Sequence, residues 1–295
     1  MESVRKFSAE TMAFLRKSQE NELTESLIYE KIAQCQKDAG NQEVLRRIAA
    51  EERRHEEIWR GYTGQTAKPN MRKVRWYSFL CRVLGFTFAL KKMESGENSA
   101  THKYAAVMKE IPAAEKIAAE EDAHEKQLLE LLDEERLQYV GSMVLGLNDA
   151  LVELTGTIAG MTFALMNTRL VALSGIITGV SATLSMAASN FLAERAAGNE
   201  NALKSSLYTG VAYLITVALM VLPFLLFPAG LYVGALATML VGVLLIILGF
   251  NYYISVAKST PFLPRFAEMA IISLSVAAIS FVIGLLVKRF LGIDL

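Results

Sequence analysis

The chain has 295 residues, 30 Lys+Arg against 30 Asp+Glu, 53% hydrophobic residues and a mean hydropathy of +0.31. The first 138 residues hold 23 Lys+Arg and 24 Asp+Glu, while the last 157 hold only 7 and 6, so a charged soluble part precedes a membrane part. The balanced charge gives nucleic-acid binding no support, and abundant apolar residues with little Pro exclude general disorder.

Met1–Glu10 carries both charge signs and no apolar core, so no cleavable signal peptide is expected. Cys35 and Cys81 form no spaced framework and are read as reduced thiols. Both features place the soluble part in the cytoplasm.

That part repeats itself. Ile48-Ala-Ala-Glu-Glu-Arg-Arg-His-Glu56 returns as Ile117-Ala-Ala-Glu-Glu-Asp-Ala-His-Glu125. Each copy contains Glu-x-x-His, as Glu52/His55 and Glu121/His124. Upstream of each lies a Glu followed seven residues later by a Tyr: Glu22 with Tyr29, and Glu97 with Tyr104. The pattern predicts a duplicated helical hairpin. The first copy turns at Asp38-Ala-Gly-Asn41, a helix stop followed by a cap, and in the second Pro112 opens the last helix.

One Glu from each of two helices and Glu-x-x-His from each of the other two is the ligand set of a di-iron carboxylate bundle. Positions i and i+3 project side by side on a helix, so one Glu and one His reach the same metal. Carboxylates and imidazoles suit iron or Mn(II) better than thiolate-favouring ions. The expected metal ligands are Glu22, Glu52, His55, Glu97, Glu121 and His124, with Glu94 a candidate seventh. Glu51 and Glu120 neighbour these ligands, either facing solvent or supporting the histidines. Between the hairpins, Lys68–Lys92 mixes Arg72, Lys73 and Arg75 with Trp76, Tyr77, Phe79, Phe86 and Phe88. That composition suits an anionic membrane surface; the alternative is that Phe79–Leu90 begins a helix packed in the bundle.

Five apolar stretches follow: roughly 140–166, 170–193, 205–230, 231–257 and 266–287. Each exceeds the ~20 residues needed to cross a bilayer core. With the N-terminus inside, the inner flanks carry Arg136, Arg195, Lys204, Lys258 and Arg265, against Arg169, Lys288 and Arg289 outside. The C-terminus then lies outside. The first stretch holds Asp149 and Glu153, one helical turn apart, and the second aligns Met186, Asn190 and Glu194. Intramembrane acids normally face a cavity or a partner, so Asp149 and Glu153, with the aligned Met186, Asn190 and Glu194, are functional candidates. Gly156/Gly160 and Gly175/Gly179 are small-residue pairs that predict close packing of the first two spans.

The soluble half resembles the rubrerythrin branch of the ferritin-like superfamily, over about residues 8–135, on Glu22, Glu52-x-x-His55, Glu94-x-x-Glu97 and Glu121-x-x-His124. Without Cys-x-x-Cys pairs it lacks the rubredoxin-type centre of full rubrerythrins. The membrane half is similar to the vacuolar iron transporter family, over about residues 136–292, through Leu147-Asn-Asp-Ala-Leu-Val-Glu153 and Ser185-Met-Ala-Ala-Ser-Asn-Phe191. Ala150 and Asn190 stand where that family often has Gly and Glu. The resemblance implies export of Fe(II), sometimes Mn(II), from the cytosol in exchange for protons, by a homodimer in membrane lipid, with Asp149 and Met186 on the pathway. The expected architecture is therefore all-α: a ferritin-like four-helix bundle over residues 1–138 and a five-helix transmembrane domain over 139–295. A membrane-tethered di-iron oxidase or peroxidase is the competing reading.

Overall fold

The computed structural model describes residues 7–36, 38–97, 111–130 and 139–291. Among them it is entirely helical. The chain forms two compact units, Met1–Glu134 and Glu135–Leu295.

The first unit contains α1 (Ala9–Ala33), α2 (Ala39–Thr63), α3 (Met71–Leu84), α4 (Phe86–Glu97) and α5 (Pro112–Glu130). Local chemistry sets their ends. Ser8 caps α1 by accepting from Thr11 N at 3.0 Å, and Asp38 caps α2 by accepting from Asn41 N at 2.8 Å. Gly64, at φ 63°, closes α2 in the left-handed conformation that glycine adopts without a Cβ penalty. α1 packs along α2, α5 lies against α2, and α3 touches both α1 and α4. Leu15, Ile28, Ile32, Leu45 and Ile48 are fully buried between them, each contributing about 1.5–3 kcal/mol.

The segment between the hairpins divides at Gly85, whose φ of 95° ends α3. Beyond the break Phe86, Phe88, Ala89 and Leu90 are buried, whereas Trp76 and Phe79 before it are exposed. One continuous helix from Phe79 to Leu90 is therefore replaced by two helices with different surroundings. Of the two cysteines, Cys35 is exposed and Cys81 buried, both as free thiols.

The second unit contains α6 (Val140–Leu165), α7 (Thr168–Ala196), α8 (Ala202–Leu226), α9 (Tyr232–Lys258) and α10 (Phe262–Leu291). Four of these, α7 to α10, are long and apolar enough to cross a membrane. The 26 residues of α6 reach about 39 Å, and its mostly apolar run is interrupted by Asn148, Asp149 and Glu153. Its position accounts for this. α6 contacts each of the other four helices, and Ala150, Leu151, Leu154 and Ile158 are fully buried among them. The apolar outer helices instead expose Leu184, Leu192, Leu207, Leu214, Leu245 and Ile271, as lipid-facing surfaces do.

The glycine pairs mainly serve helices beyond the first two spans, although a Cβ on Gly175 would also touch Ile158 of α6. A Cβ on Gly156 or Gly160 would meet Val276 or Ser280 of α10, and one on Gly175 or Gly179 would meet Val221 or Val217 of α8. Gly146 admits the Thr209 carbonyl of α8, where a Cβ would collide with backbone. Spacing of small residues thus marked close approach, but the tight seams run to α8 and α10.

Candidate metal centre and membrane polar cluster

In the first unit Glu22 comes from α1, Glu52 and His55 from α2, and Glu121 from α5. One ligand atom from each of these four lies within 4.8 Å of the others. His124 adjoins them, its Nδ1 at 3.1 Å from Glu52 Oε1 and 3.8 Å from Glu121 Oε2. The side chains of Glu94 and Glu97 lie outside the described residues, as does Tyr104.

The two repeats interlock. His55 directs Nδ1 to Glu121 at 3.0 Å and Nε2 to Glu120 at 2.8 Å. His124 directs Nδ1 to Glu52 at 3.1 Å and Nε2 to Glu51 at 2.5 Å. Each imidazole is held by the Glu-Glu pair of the opposite copy, and the rings face each other at 5.8 Å with an interplanar angle of 24°. Glu51 and Glu120 therefore support the histidines. A carboxylate on Nε2 keeps the proton there and turns Nδ1 toward the centre, the usual way a metal-binding imidazole is oriented.

Four side chains that the sequence reading did not single out, Trp59, Gln19, Glu56 and Thr63, complete the surroundings. Trp59 Nε1 donates to Glu22 Oε1 at 3.0 Å, with both groups buried. Gln19 Nε2 donates to Glu56 Oε1 at 2.8 Å and Thr63 Oγ1 donates to Gln19 Oε1 at 2.8 Å. Their signal was spacing: Glu52, Glu56 and Trp59 share one face of α2.

The donor chemistry fits a metal ion. Glu52 Oε2 is buried without a hydrogen-bond partner, His55 Nδ1 at 3.6 Å being beyond hydrogen-bonding range. A bare buried carboxylate oxygen is costly unless a cation faces it. Glu22, Glu52, His55, Glu121 and His124 would hold such an ion.

Without metal the cluster balances its charges internally. Burial pushes the Glu22 carboxyl up, with the charge of Glu52 adding to it. Burial would also raise Glu52, but the hydrogen bond with His124 and the nearby His55 imidazole bring it down to about 2. Burial would lower both histidines, but their carboxylate partners push each up to about 10.

The imidazole pairing thus stabilises the metal-free unit fully below the unfolded value of about 6.5 and is lost as pH rises through about 10. Thermal melts of chelator-treated protein should accordingly fall from pH 6.5 to 10. Divalent-metal affinity should rise over the same interval, because the metal displaces the Nδ1 protons. A flat affinity across that range would remove the histidines from the site.

In the second unit Asp149 is half-buried on α6, and Glu153 accepts from the buried Tyr213 Oη of α8 at 2.9 Å. Asn190 of α7 is buried and donates through Nδ2 to Ser205 Oγ at 3.0 Å and Thr209 Oγ1 at 2.9 Å. Thr209 Oγ1 also donates to the Ser142 carbonyl at 3.0 Å, and Ser142 and Ser205 hydroxyls meet at 2.6 Å. Ser205, Thr209 and Tyr213, each four residues from the next, form a polar stripe on α8 that serves both Asn190 and Glu153. Sequence reading passed over this stripe, although hydroxyls at period four in an apolar run are a signal of one helix face.

Met186 is half-buried and packs against the apolar cluster around Leu147, Leu151 and Leu154. Glu194 is turned to the loop after α7, accepting from Asn199 Nδ2 at 2.7 Å. Asn148, beside Asp149, buries an Oδ1 without a hydrogen-bond partner.

Residues 140–199 match the family model described as the VIT family. The matched segment is α6, α7 and the start of the following turn, the helices that carry Asp149, Glu153, Met186, Asn190 and Glu194. No curated protein and no solved structure matches the chain. The match and the four apolar helices support a membrane protein.

Proposed function

We propose that the protein exports Fe(II), with Mn(II) as a second substrate, from the cytosol in exchange for protons. The first unit is a cytoplasmic ferritin-like domain that binds the metal and delivers or senses it. The second is a five-span unit, with the C-terminus outside, working as a homodimer. What carries this reading is the central α6. It holds Asp149 and Glu153 among four apolar helices, inside the segment that matches the VIT family. Charged groups at such depth are retained for ions or protons. Glu153 remains exposed on the single chain, which favours a second copy or a water-filled path beside it. A carboxylate links the two gradients, because protonation removes the charge that holds the metal. Glu22, Glu52, His55, Glu121 and His124 supply a second, buried place for the same ions.

Proteoliposomes containing the full chain test this directly. Fe(II) and Mn(II) flux should follow an imposed proton gradient and stop when the gradient is collapsed. Absent flux with iron-dependent oxygen consumption would favour the membrane-tethered oxidase, which the buried Glu/His set supports equally.

A further inference from the structure

Helix α3 is amphipathic in an unusual sense. Val74, Leu80 and Cys81 are buried against the unit, while the opposite stripe presents Arg72, Arg75, Trp76, Phe79, Arg82 and Val83. At about 100° per residue Trp76, Phe79 and Val83 lie within one narrow arc that also holds Arg72, with Arg75 and Arg82 along one border and Lys73 along the other. Trp76 is 57% exposed and Phe79 54%, and their rings stack at 6.0 Å. From residue 58 to 93 the chain has eight Lys or Arg and no Asp or Glu, whereas the other residues of the first 138 carry 15 against 24.

We propose that α3 is an interfacial helix that binds anionic lipid headgroups of the bilayer holding this chain's own membrane helices. Trp76 and Phe79 enter the boundary between headgroups and acyl chains, and Arg72, Lys73, Arg75 and Arg82 contact lipid phosphates. Aromatic side chains with a basic border have the composition that favours that layer. Charge selects the occupant. Two copies of this face would bring like charges together, whereas an anionic surface complements them. The rigid link to the unit is also in place: Asn70 caps α3 by accepting from Lys73 N at 3.2 Å, and the buried face holds the helix on its neighbours. The proposal requires a bilayer and is independent of which ion is carried.

The chain has two tryptophans, and Trp59 is fully buried, so Trp76 reports on this face. Full-length protein in nanodiscs of phosphatidylcholine, with and without phosphatidylglycerol, would be examined with acyl chains brominated near the headgroup. Trp76 emission should be quenched in the anionic bilayer and weakly in the neutral one. Quenching should be lost in Trp76→Phe, whose remaining emission is that of Trp59, and in Arg72→Glu/Arg75→Glu, whose thermal melt should match wild type. Emission unquenched by bromine but quenched by aqueous acrylamide would overturn the proposal, leaving α3 in water. Emission shielded from both would overturn it in favour of a protein partner. Equal quenching in both bilayers, unaffected by charge reversal, would exclude headgroup recognition.

Discussion

Replacing Asp149 by alanine is expected to abolish gradient-driven Fe(II) flux while leaving metal binding by the first unit unchanged. Asp149 sits on a helix that touches all four others, half-buried, a single turn from Glu153. In the proposed exchange, removing its carboxylate would take away both the charge that attracts a divalent ion and the site that accepts a proton. Altering even the supporting partners of a metal ligand costs about 10–100-fold in affinity or activity, so losing a direct ligand should cost about 100-fold or more. Asp149→Asn should fail almost as completely, since it keeps the shape and loses the exchangeable charge. Flux assays in proteoliposomes paired with metal titration of the same preparations make the comparison. Retained flux would remove Asp149 from the path, and equal loss of flux and first-unit binding would show that the two units do not work separately.

Glu52→Ala should have the complementary effect. Glu52 is almost wholly buried, faces His124 at 3.1 Å and offers its second oxygen to the centre of the cluster. Its loss should abolish metal binding by the first unit. It should also destabilise the metal-free protein, because removing one partner from a buried ion pair costs about 3–5 kcal/mol. Glu22→Ala should be milder without metal, since burial already favours an uncharged carboxyl there and Trp59 loses one hydrogen bond, worth about 1–3 kcal/mol when left unmet. Denaturant titration of chelated protein at neutral pH distinguishes them; equal midpoints would mean that Glu52 carries no charge in the folded site. If the first unit delivers iron, Glu52→Ala should also raise the concentration needed for half-maximal flux without changing the maximal rate.

Much of this chemistry was legible as text because it is local. Glu-x-x-His needs only a helix to become a pair of neighbouring donors, and the repeated nine-residue frame pointed to two such pairs. For Glu51 and Glu120 the sequence left two roles open, facing solvent or supporting the histidines. A residue next to a ligand points about 100° away on its own helix, and only the crossing of α2 and α5 brings it to the other histidine. The glycine pairs likewise marked narrow surfaces without naming what lies on them. Hydropathy could not tell a central helix from a peripheral one: α6 tolerates Asn148, Asp149 and Glu153 because its neighbours, and not lipid, surround much of it. Gly85 was similarly silent, yet its positive φ decides that Phe86 and Phe88 go inward while Trp76 and Phe79 stay out.

The exchange of partners between the two histidines has a historical implication. Neither hairpin grips its own imidazole by both nitrogens; His55 depends on Glu120 and Glu121, and His124 on Glu51 and Glu52. A single Glu-Glu-x-x-His helix is thus half of a clasp that closes only on a second half. A half-length ancestor could have formed the whole constellation by pairing with its own twin, and joining the twins in one gene would have freed each half to diverge outside the clasp. The acidic-basic Arg53-Arg54 and Asp122-Ala123 segments, which differ between copies while the Glu and His positions match, are what such a history leaves behind.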